Sequence, residues 1–330
     1  MKHKTTVQHR ILRVIFFISV QAFWVYALAA QPFAPAAGWP GSDAIAADDP
    51  RIGSWAHSVV ELKRGFQNIA LPDSGFVSVG EPSQALGPAL QNGVVSLGDG
   101  GSITLSFNPP VRNGNGPDFA VFENSFSDDF LELAFVAVSS NGVDFFTFPA
   151  ESLTDTATQV NAFGSVDARN LHNLAGKYRS GFGTPFDIEA LPLDEKLNPE
   201  QIRFVRITDV VGSILGGYAT RDSKGRIIND PYPTPYSSGG FDVDAVGAIH
   251  VATASAEVQI KANLVGFGMP VSIQSQSPFQ YAFIDHTGRQ VLNGAGVPGE
   301  NLITFHAYTG IYWLTIQTET GRYQFKLCVL

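Results

Sequence analysis

The sequence predicts an all-β protein: an antiparallel, jelly-roll-like β-sandwich followed by a small immunoglobulin-like β-sandwich. Three observations predict it. Aromatic residues are 12% of 330, and 33 glycines and 20 prolines punctuate the chain, a composition suited to short strands and tight turns rather than long helices. Apolar residues recur with period two in several short runs. Asn141-Gly142 stands between the apolar runs LAFVAVSS and VDFFTF, the strongest short-range hairpin signal in a sequence. With 44% hydrophobic and 15% charged residues, the chain has an ordinary globular composition, which excludes bulk disorder.

Residues 1–30 read as an export signal. Lys2, Lys4, Arg10 and Arg13 form a basic start, VIFFISVQAFWVYALAA is apolar, and Ala27-Leu28-Ala29 supplies small residues for cleavage. The alternative is an uncleaved membrane anchor, but Gln21 interrupts the run before it reaches the ~20 clean apolar residues of a span. No cysteine lies near the cleavage position, which excludes a lipoprotein anchor there. Residues 31–42, QPFAPAAGWPGS, read as a linker with little to pack.

Removing a leader with four basic and no acidic residues takes the formal charge from −9 to −13. Phosphate binding needs a cationic surface, so nucleic acid is excluded as a partner class. Cys328 is the sole cysteine. An exported chain so built has no disulfide framework and no cysteine-based zinc site, leaving core burial and bound ions to stabilise it.

Residues 43–252 read as the larger sandwich. In GGSITLSF, Ile103, Leu105 and Phe107 alternate with Ser102, Thr104 and Ser106, the pattern of a strand with one wet face. FAVFE and LAFVAV are apolar on both faces, as central strands are. Further strands are expected at IRFVRITDV and GFDVDAVGAIHV, whereas residues 155–201 have no sustained period and read as a functional loop region. Residues 253–330 form a second unit of short strands: VSIQ, YAFIDH, LITFHA, IYWLTIQT and YQFKLCVL, turned at Thr287-Gly288 and Thr320-Gly321.

Carboxylates concentrate at predicted strand ends. Asp118 and Glu123 flank FAVFE, Asp209 ends VRITD, and Asp242 and Asp244, two apart, fall on one strand face. Oxygen-only donors of this kind suit a hard cation such as a structural Ca²⁺, although the spacing is not that of an EF-hand. The other reading is that these carboxylates accept backbone and arginine hydrogen bonds, with Arg203 and Arg206 nearby in sequence. Glu132, between Leu131 and Leu133, reads first as a carboxylate paired with Arg or Lys at a sheet edge. Its alternative is a catalytic acid or base with Asp118 or Glu123, which would make the chain a hydrolase. No G-x-S-x-G, H-E-x-x-H or phosphate-binding loop occurs, so the chain is expected to bind rather than catalyse.

The tail, through YAFIDHTGRQVLNG and YTGIYWLTIQTETGRYQFKLCVL, resembles the C-terminal sorting domain of the type IX secretion system: a strand ending in Asp, a Gly-Arg turn, Gly-Ile-Tyr opening a strand, and Lys before the last strand. It departs in ending KLCVL without a closing basic residue. From about residue 41 to 251, GSDAIAADDPRIGSWA, NGNGPDFAVFENSF, NLAGKYRSGFGTPFDI and INDPYPTPYSSGGFDVDAVGAI, among other segments, resemble a family of bacterial cell-surface proteins related to surface-exposed cobalamin-binding proteins. The resemblance implies secretion to the cell surface at the outer membrane and contact with the type IX machinery. It also implies capture of cobalamin or a related corrinoid for a TonB-dependent outer-membrane transporter.

Aromatic residues in Gly/Pro/Ser-rich segments are the candidate ligand surface: Tyr178, Phe182, Phe186, Tyr218, Tyr232 and Tyr236. Flat rings can cover a large ligand while hydroxyls meet its polar groups, and the alternative is that they cap the sandwich core. His172, in the long loop region, is the imidazole placed to ligate a cobalt centre. The alternative for a sandwich with aromatic loops and Ca²⁺ is a carbohydrate-binding surface module.

Overall fold

Ile103, Leu105 and Phe107 are all buried to within 2% of full burial, and the face they share defines the core of the larger unit. The computed structural model describes residues 33–252, 258–306, 308–319 and 321–330. The leader, with its cleavage position, lies outside the described residues. Among the described residues no helix is long and apolar enough to cross a membrane. The chain divides into two units, residues 1–251 and 252–330.

The first unit contains β1 (Ile45–Ala46), β2 (Ser54–Trp55), β3 (Ser58–Lys63), β4 (Val95–Ser96), β5 (Ser102–Val111), β6 (Phe119–Glu123), β7 (Ala134–Ser139), β8 (Phe146–Thr147), β9 (Glu151–Ser152), β10 (Leu171–His172), β11 (Phe182–Phe186), β12 (Ile202–Asp209) and β13 (Asp242–Ala248). One sheet runs β1-β11-β6-β13-β2, with β4 also on β13, and the other runs β3-β5-β12-β7-β8. Consecutive strands cross between the sheets at β5 to β6, β6 to β7, β11 to β12 and β12 to β13, the weave of a jelly-roll-like sandwich. Val121, Val243 and Val246 of the first sheet and Ile103, Leu105, Val136, Val205 and Ile207 of the second share one core cluster. Removing a side chain of this size from water contributes about 1.5–3 kcal/mol.

β6 is buried along its whole length because Phe122 and Ala120, on its outer face, pack in a second cluster with Ile45, Ala89 and Ala245. The expected wet face of β5 is also covered: Thr104 and Ser106 are buried. Arg206 donates from Nε to Thr104 Oγ1 at 3.1 Å and lies 3.6 Å over the Phe145 ring, while the Ser58 and Ser106 hydroxyls bond each other at 2.5 Å. Arg206 therefore serves an aromatic ring and a hydroxyl, not the carboxylates.

The hairpin at Asn141-Gly142 joins β7 to β8, with Ala137 opposite Thr147 and Val138 opposite Phe146. Gly142 has φ +77°, and Asn141 Oδ1 accepts from the amides of Val143 and Asp144, both at 2.9 Å. The expected linker needs correction from Phe33 onward. The Phe33 amide donates to Arg169 O at 3.0 Å, Ala37 is buried, and Arg179 Nη1 donates to Ala37 O at 2.9 Å. Sequence alone misses this because the anchors are backbone groups, which leave no compositional trace.

The second unit contains β14 (Val258–Ile260), β15 (Leu264–Val265), β16 (Pro270–Ser275), β17 (Phe279–Asp285), β18 (Gln290–Gly296), β19 (Gly299–Thr304), β20 (Gly310–Gln317) and β21 (Arg322–Val329). A three-stranded sheet, β14-β16-β19, faces a five-stranded one, β15-β21-β20-β17-β18, across a core of Val271, Ile273, Phe283, Leu314, Ile316 and Leu327. Asp285 makes the turn between β17 and β18, accepting from the amides of Thr287 and Arg289. The hydroxyl of Thr287, chief among these donors, holds its carboxyl down at about 2.

Candidate functional site

Strand register brings six carboxyl groups to one end of the first sandwich. Glu123 closes β6 opposite Val243, near the start of β13, and Asp242 opens β13 opposite Ser96 of β4. Asp209 closes β12 opposite Ala134, the first residue of β7, and Glu132 lies two residues before that strand. Asp99 precedes β5, and Asp230 lies in the loop from β12 to β13. The two sheets meet here: the Phe241 amide, just before β13, donates to Asp209 Oδ1 at 2.8 Å, and the Gly100 amide donates to Asp209 Oδ2 at 2.9 Å.

All six are buried, and backbone amides are the main partners of Asp99, Glu123, Asp209 and Asp230. Asp99 Oδ2 accepts from Ile69 N at 2.8 Å, Asp230 Oδ2 from Leu133 N at 2.9 Å, and Glu123 Oε2 from Ser125 N at 2.7 Å. Burial pushes Glu123, Glu132, Asp209 and Asp230 well above the ordinary carboxyl range, and mutual repulsion adds to it. Glu132 feels Glu123, Asp242, Asp230 and Asp209 together. No Arg or Lys pairs with Glu132 among the described residues, so the sheet-edge ion pair expected for it is replaced by an acidic neighbourhood.

One expected member of a strand-end ion site is elsewhere. Asp118 lies at the opposite end of β6, about 16 Å of strand from Glu123. There it is a structural clamp, accepting from Gly114 N and Ile188 N, each at 2.7 Å, and meeting His250 Nδ1 at 2.9 Å. That separation also removes Asp118 as a catalytic partner for Glu132. Asp244 stays with the group: it is the extra residue where the register shifts between Val243 and Ala245 beside Glu123, its charge helps raise the Glu123 carboxyl, and both its oxygens share the Leu90 amide at 3.1 and 3.0 Å. Among the described residues no three or more His, Cys, Asp or Glu side chains form a group that could hold a metal ion by themselves.

Outside the acids runs a strip of aromatic rings. Phe126 and Phe130 stack 4.4 Å apart, Phe130 and Phe163 are 6.1 Å apart, and Phe163 and Tyr236 are 5.9 Å apart. Phe126 is 72% exposed, Phe163 66% and Tyr236 45%. Their loops are tied together: Asp129 accepts from Ser127 Oγ at 2.7 Å and from Ser165 Oγ at 2.9 Å, and Val166 N donates to Asp129 O at 2.7 Å. The strip adjoins the acids through Ser125, whose amide holds Glu123 and whose hydroxyl donates to Phe130 O. Beside Asp129 opens a cleft of about 470 Å³ lined by Pro35, Trp39, Asp128, Val166 and Arg169, among others.

Of the aromatic residues expected to meet ligand, Tyr236 joins this strip and Tyr218 is 40% exposed elsewhere in the loops. The others serve the scaffold. Phe186 is in the main core, its ring 5.4 Å from Phe119 and 5.0 Å from Phe148. Tyr178 is buried with its hydroxyl on Asp43, and Tyr232 is buried with its hydroxyl on Asn68. Phe182 lies under the Arg179 guanidinium at 4.6 Å. His172 stacks on Phe33 at 4.9 Å, and burial together with the Lys177 charge lowers its pKa.

No protein-family model matches this chain, and no curated protein matches it. Among solved structures, the chain is similar to a β-glucuronidase from Ruminococcus gnavus in complex with uronic deoxynojirimycin, at 14% identity and TM-score 0.20, covering 84% of this chain and 45% of that one. The β-glucuronidase from Ruminococcus gnavus with uronic isofagomine gives 14% identity, TM-score 0.22 and coverages of 84% and 44%. The chain spans less than half the length of these structures, and likeness at this level carries no argument about activity.

Gly176 sets the position of Glu132. At φ +81°, a Cβ there would lie 1.8 Å from Glu132 O, so Gly176→Ala is expected to cost at least about 2 kcal/mol in urea unfolding. The acidic end also makes stability depend on pH. Burial pushes Asp99 up to about 6, so the folded chain holds this proton more tightly than the unfolded chain does. The contribution of Asp99 is most favourable below about pH 4 and declines as pH rises to about 6, by about 3 kcal/mol at most. Asp99→Asn, which keeps an acceptor for Ile69, is expected to flatten this slope in urea unfolding measured from pH 4 to 7 in chelator-treated buffer.

Sequence reasoning missed Asp99, Asp230, Trp39, Phe126, Phe130 and Phe163. ENSFSDDF did hold a signal, since two phenylalanines set among polar residues have no strand to bury them. Asp230, in INDPYP, reads only as a turn former.

Proposed function

We propose that this chain is an exported cell-surface binding protein. Its first sandwich captures a corrinoid at the loop end and presents it to a TonB-dependent outer-membrane transporter, and its second unit serves as the type IX sorting domain. The observation that carries the capture reading is the strip Phe126, Phe130, Phe163 and Tyr236, exposed at Phe126, Phe163 and Tyr236 and half-buried at Phe130. Contiguous exposed rings on tied loops are unfavourable in water and become favourable when a broad ligand face covers them. A corrinoid supplies such a face, rimmed by amide groups that Asp128 and Asp129 beside the strip can accept from. Hydroxyl hydrogen bonds from Ser127 and Ser165 hold Asp129 below the ordinary carboxyl range, which keeps it ionised as an acceptor.

The test is calorimetric and absorbance titration of the full chain with cyanocobalamin. Heat and a spectral shift at tens of micromolar ligand or below are expected, and their absence counts against the corrinoid. The same strip supports a second reading, a carbohydrate-binding module, because the C–H faces of sugar rings also stack on aromatic rings. A glycan array separates the two: binding to glycans without binding to cyanocobalamin selects the module.

A further inference from the structure

Trp39 lines the cleft of about 470 Å³ beside Asp129 and is 65% exposed. A lone exposed ring is ordinary on a protein surface, but this one belongs to a cleft whose walls are tied to one another. Its own turn is fixed, since Trp39 N donates to Ala36 O at 3.2 Å and Trp39 O accepts from Ser42 N at 3.0 Å. The Phe33 amide, donating to Arg169 O at 3.0 Å, joins residues 33–42 to the segment that carries Val166, Ala168 and Arg169. Asp129 O accepts from Val166 N at 2.7 Å and Asp129 Oδ2 from Ser165 Oγ at 2.9 Å, which joins that segment to the loop of Asp128 and Asp129. Arg179 Nη1 closes the circuit, donating to Ala37 O at 2.9 Å and to the Asp128 carboxylate. Three walls so joined are preorganised, which lowers the ordering cost of binding, and the volume lies within the ~300–1,000 Å³ of small-molecule sites.

The walls divide by chemistry. Trp39, Pro35, Val166 and Ala168 supply apolar surface, Asp129 an acceptor and Arg169 a donor. Asp129 has the Ser127 and Ser165 hydroxyls as side-chain partners, and no Arg or Lys pairs with it among the described residues. Those hydroxyls keep it ionised. Arg169 bonds Asp167 through Nε and Nη2, which leaves Nη1 able to donate. We propose that this cleft binds one ring of a neutral saccharide, stacked on Trp39 with its hydroxyls on Asp129 and Arg169. A pyranose has an apolar C–H face and an edge of hydroxyls, each both donor and acceptor, so one ring meets the aromatic platform, the carboxylate and the guanidinium together. Asp128, Asp129 and Asp167 outnumber Arg169 and Arg179, so the carboxylate of a uronic acid would meet like charge and be disfavoured. The inference goes beyond the capture reading and holds whichever ligand the strip takes. Asp129 borders both places, but Trp39 and Arg169 belong to the cleft alone.

The test is saturation-transfer NMR and calorimetry of the full chain with the methyl glycosides of glucose, galactose, mannose and N-acetylglucosamine, beside methyl glucuronide. At least one neutral glycoside is expected to bind with a dissociation constant on the order of 1 mM, and the glucuronide at least about fivefold more weakly than the best of them. Trp39→Ala is expected to weaken binding at least about tenfold while the melting temperature stays within about 2 °C, because the ring is exposed. Arg169→Gln is expected to weaken it several-fold. No binding of any of the four neutral glycosides at about 20 mM overturns the proposal, and so does a glycoside bound equally by the wild-type chain and Trp39→Ala. Where that unchanged binding is lost in Phe163→Ala, the sugar lies on the strip, so the carbohydrate-module reading stands and the cleft site falls.

Discussion

Phe163→Ala is expected to weaken ligand capture by at least tenfold while changing the melting temperature by no more than about 2 °C. The ring is 66% exposed, and its neighbours in the strip stand well apart, Phe130 at 6.1 Å and Tyr236 at 5.9 Å between ring centres. Removing it leaves no cavity, and exposed substitutions of this kind fall within about 0.5 kcal/mol in stability. It does remove one of the two inner rings of the strip, and aromatic anchors well inside a binding surface carry about 2 kcal/mol or more, which exceeds the 1.4 kcal/mol of a tenfold change. Titration beside scanning calorimetry reads both effects. Unchanged affinity would show that the ligand is held elsewhere.

Phe186→Ala should do the reverse. Phe186 is 1% exposed between Phe119 and Phe148, so truncation opens a cavity in the main core and is expected to cost about 3–5 kcal/mol. For a unit of this size that is a fall of roughly 10 °C in the melting temperature. Affinity of the protein that remains folded is expected to stay within twofold. A variant with native stability and lost affinity would return Phe186 to the ligand surface.

The contrast between these two phenylalanines shows what a sequence discloses of such a fold. Phe186 lies in GFGTPF, whose glycines and proline read as a loop, yet the segment is β11. Pro185 is tolerated because β1 pairs only with Phe182 and Gly183, leaving Pro185 without a neighbour on that side, where its missing N–H goes unused. Glu123, Asp209 and Asp242 were legible as a group because each begins or ends a run of apolar residues that reads as a strand. Asp99 and Asp230 were not, since only the folded path of their loops carries them to the same end. The hairpin at Asn141-Gly142 was legible because a two-residue signal suffices for it. The packing of residues 33–42 was not, because amides and carbonyls do the holding.

The central claim is that capture happens at the loop end of the first sandwich, on the aromatic strip, and hydrogen–deuterium exchange with and without cyanocobalamin tests it most directly. New protection is expected in residues 124–131, 161–168 and 232–239, with the strands of both sheets unchanged. Bound ligand that protects instead the Asp118–His250 end, or the second unit, would contradict the account.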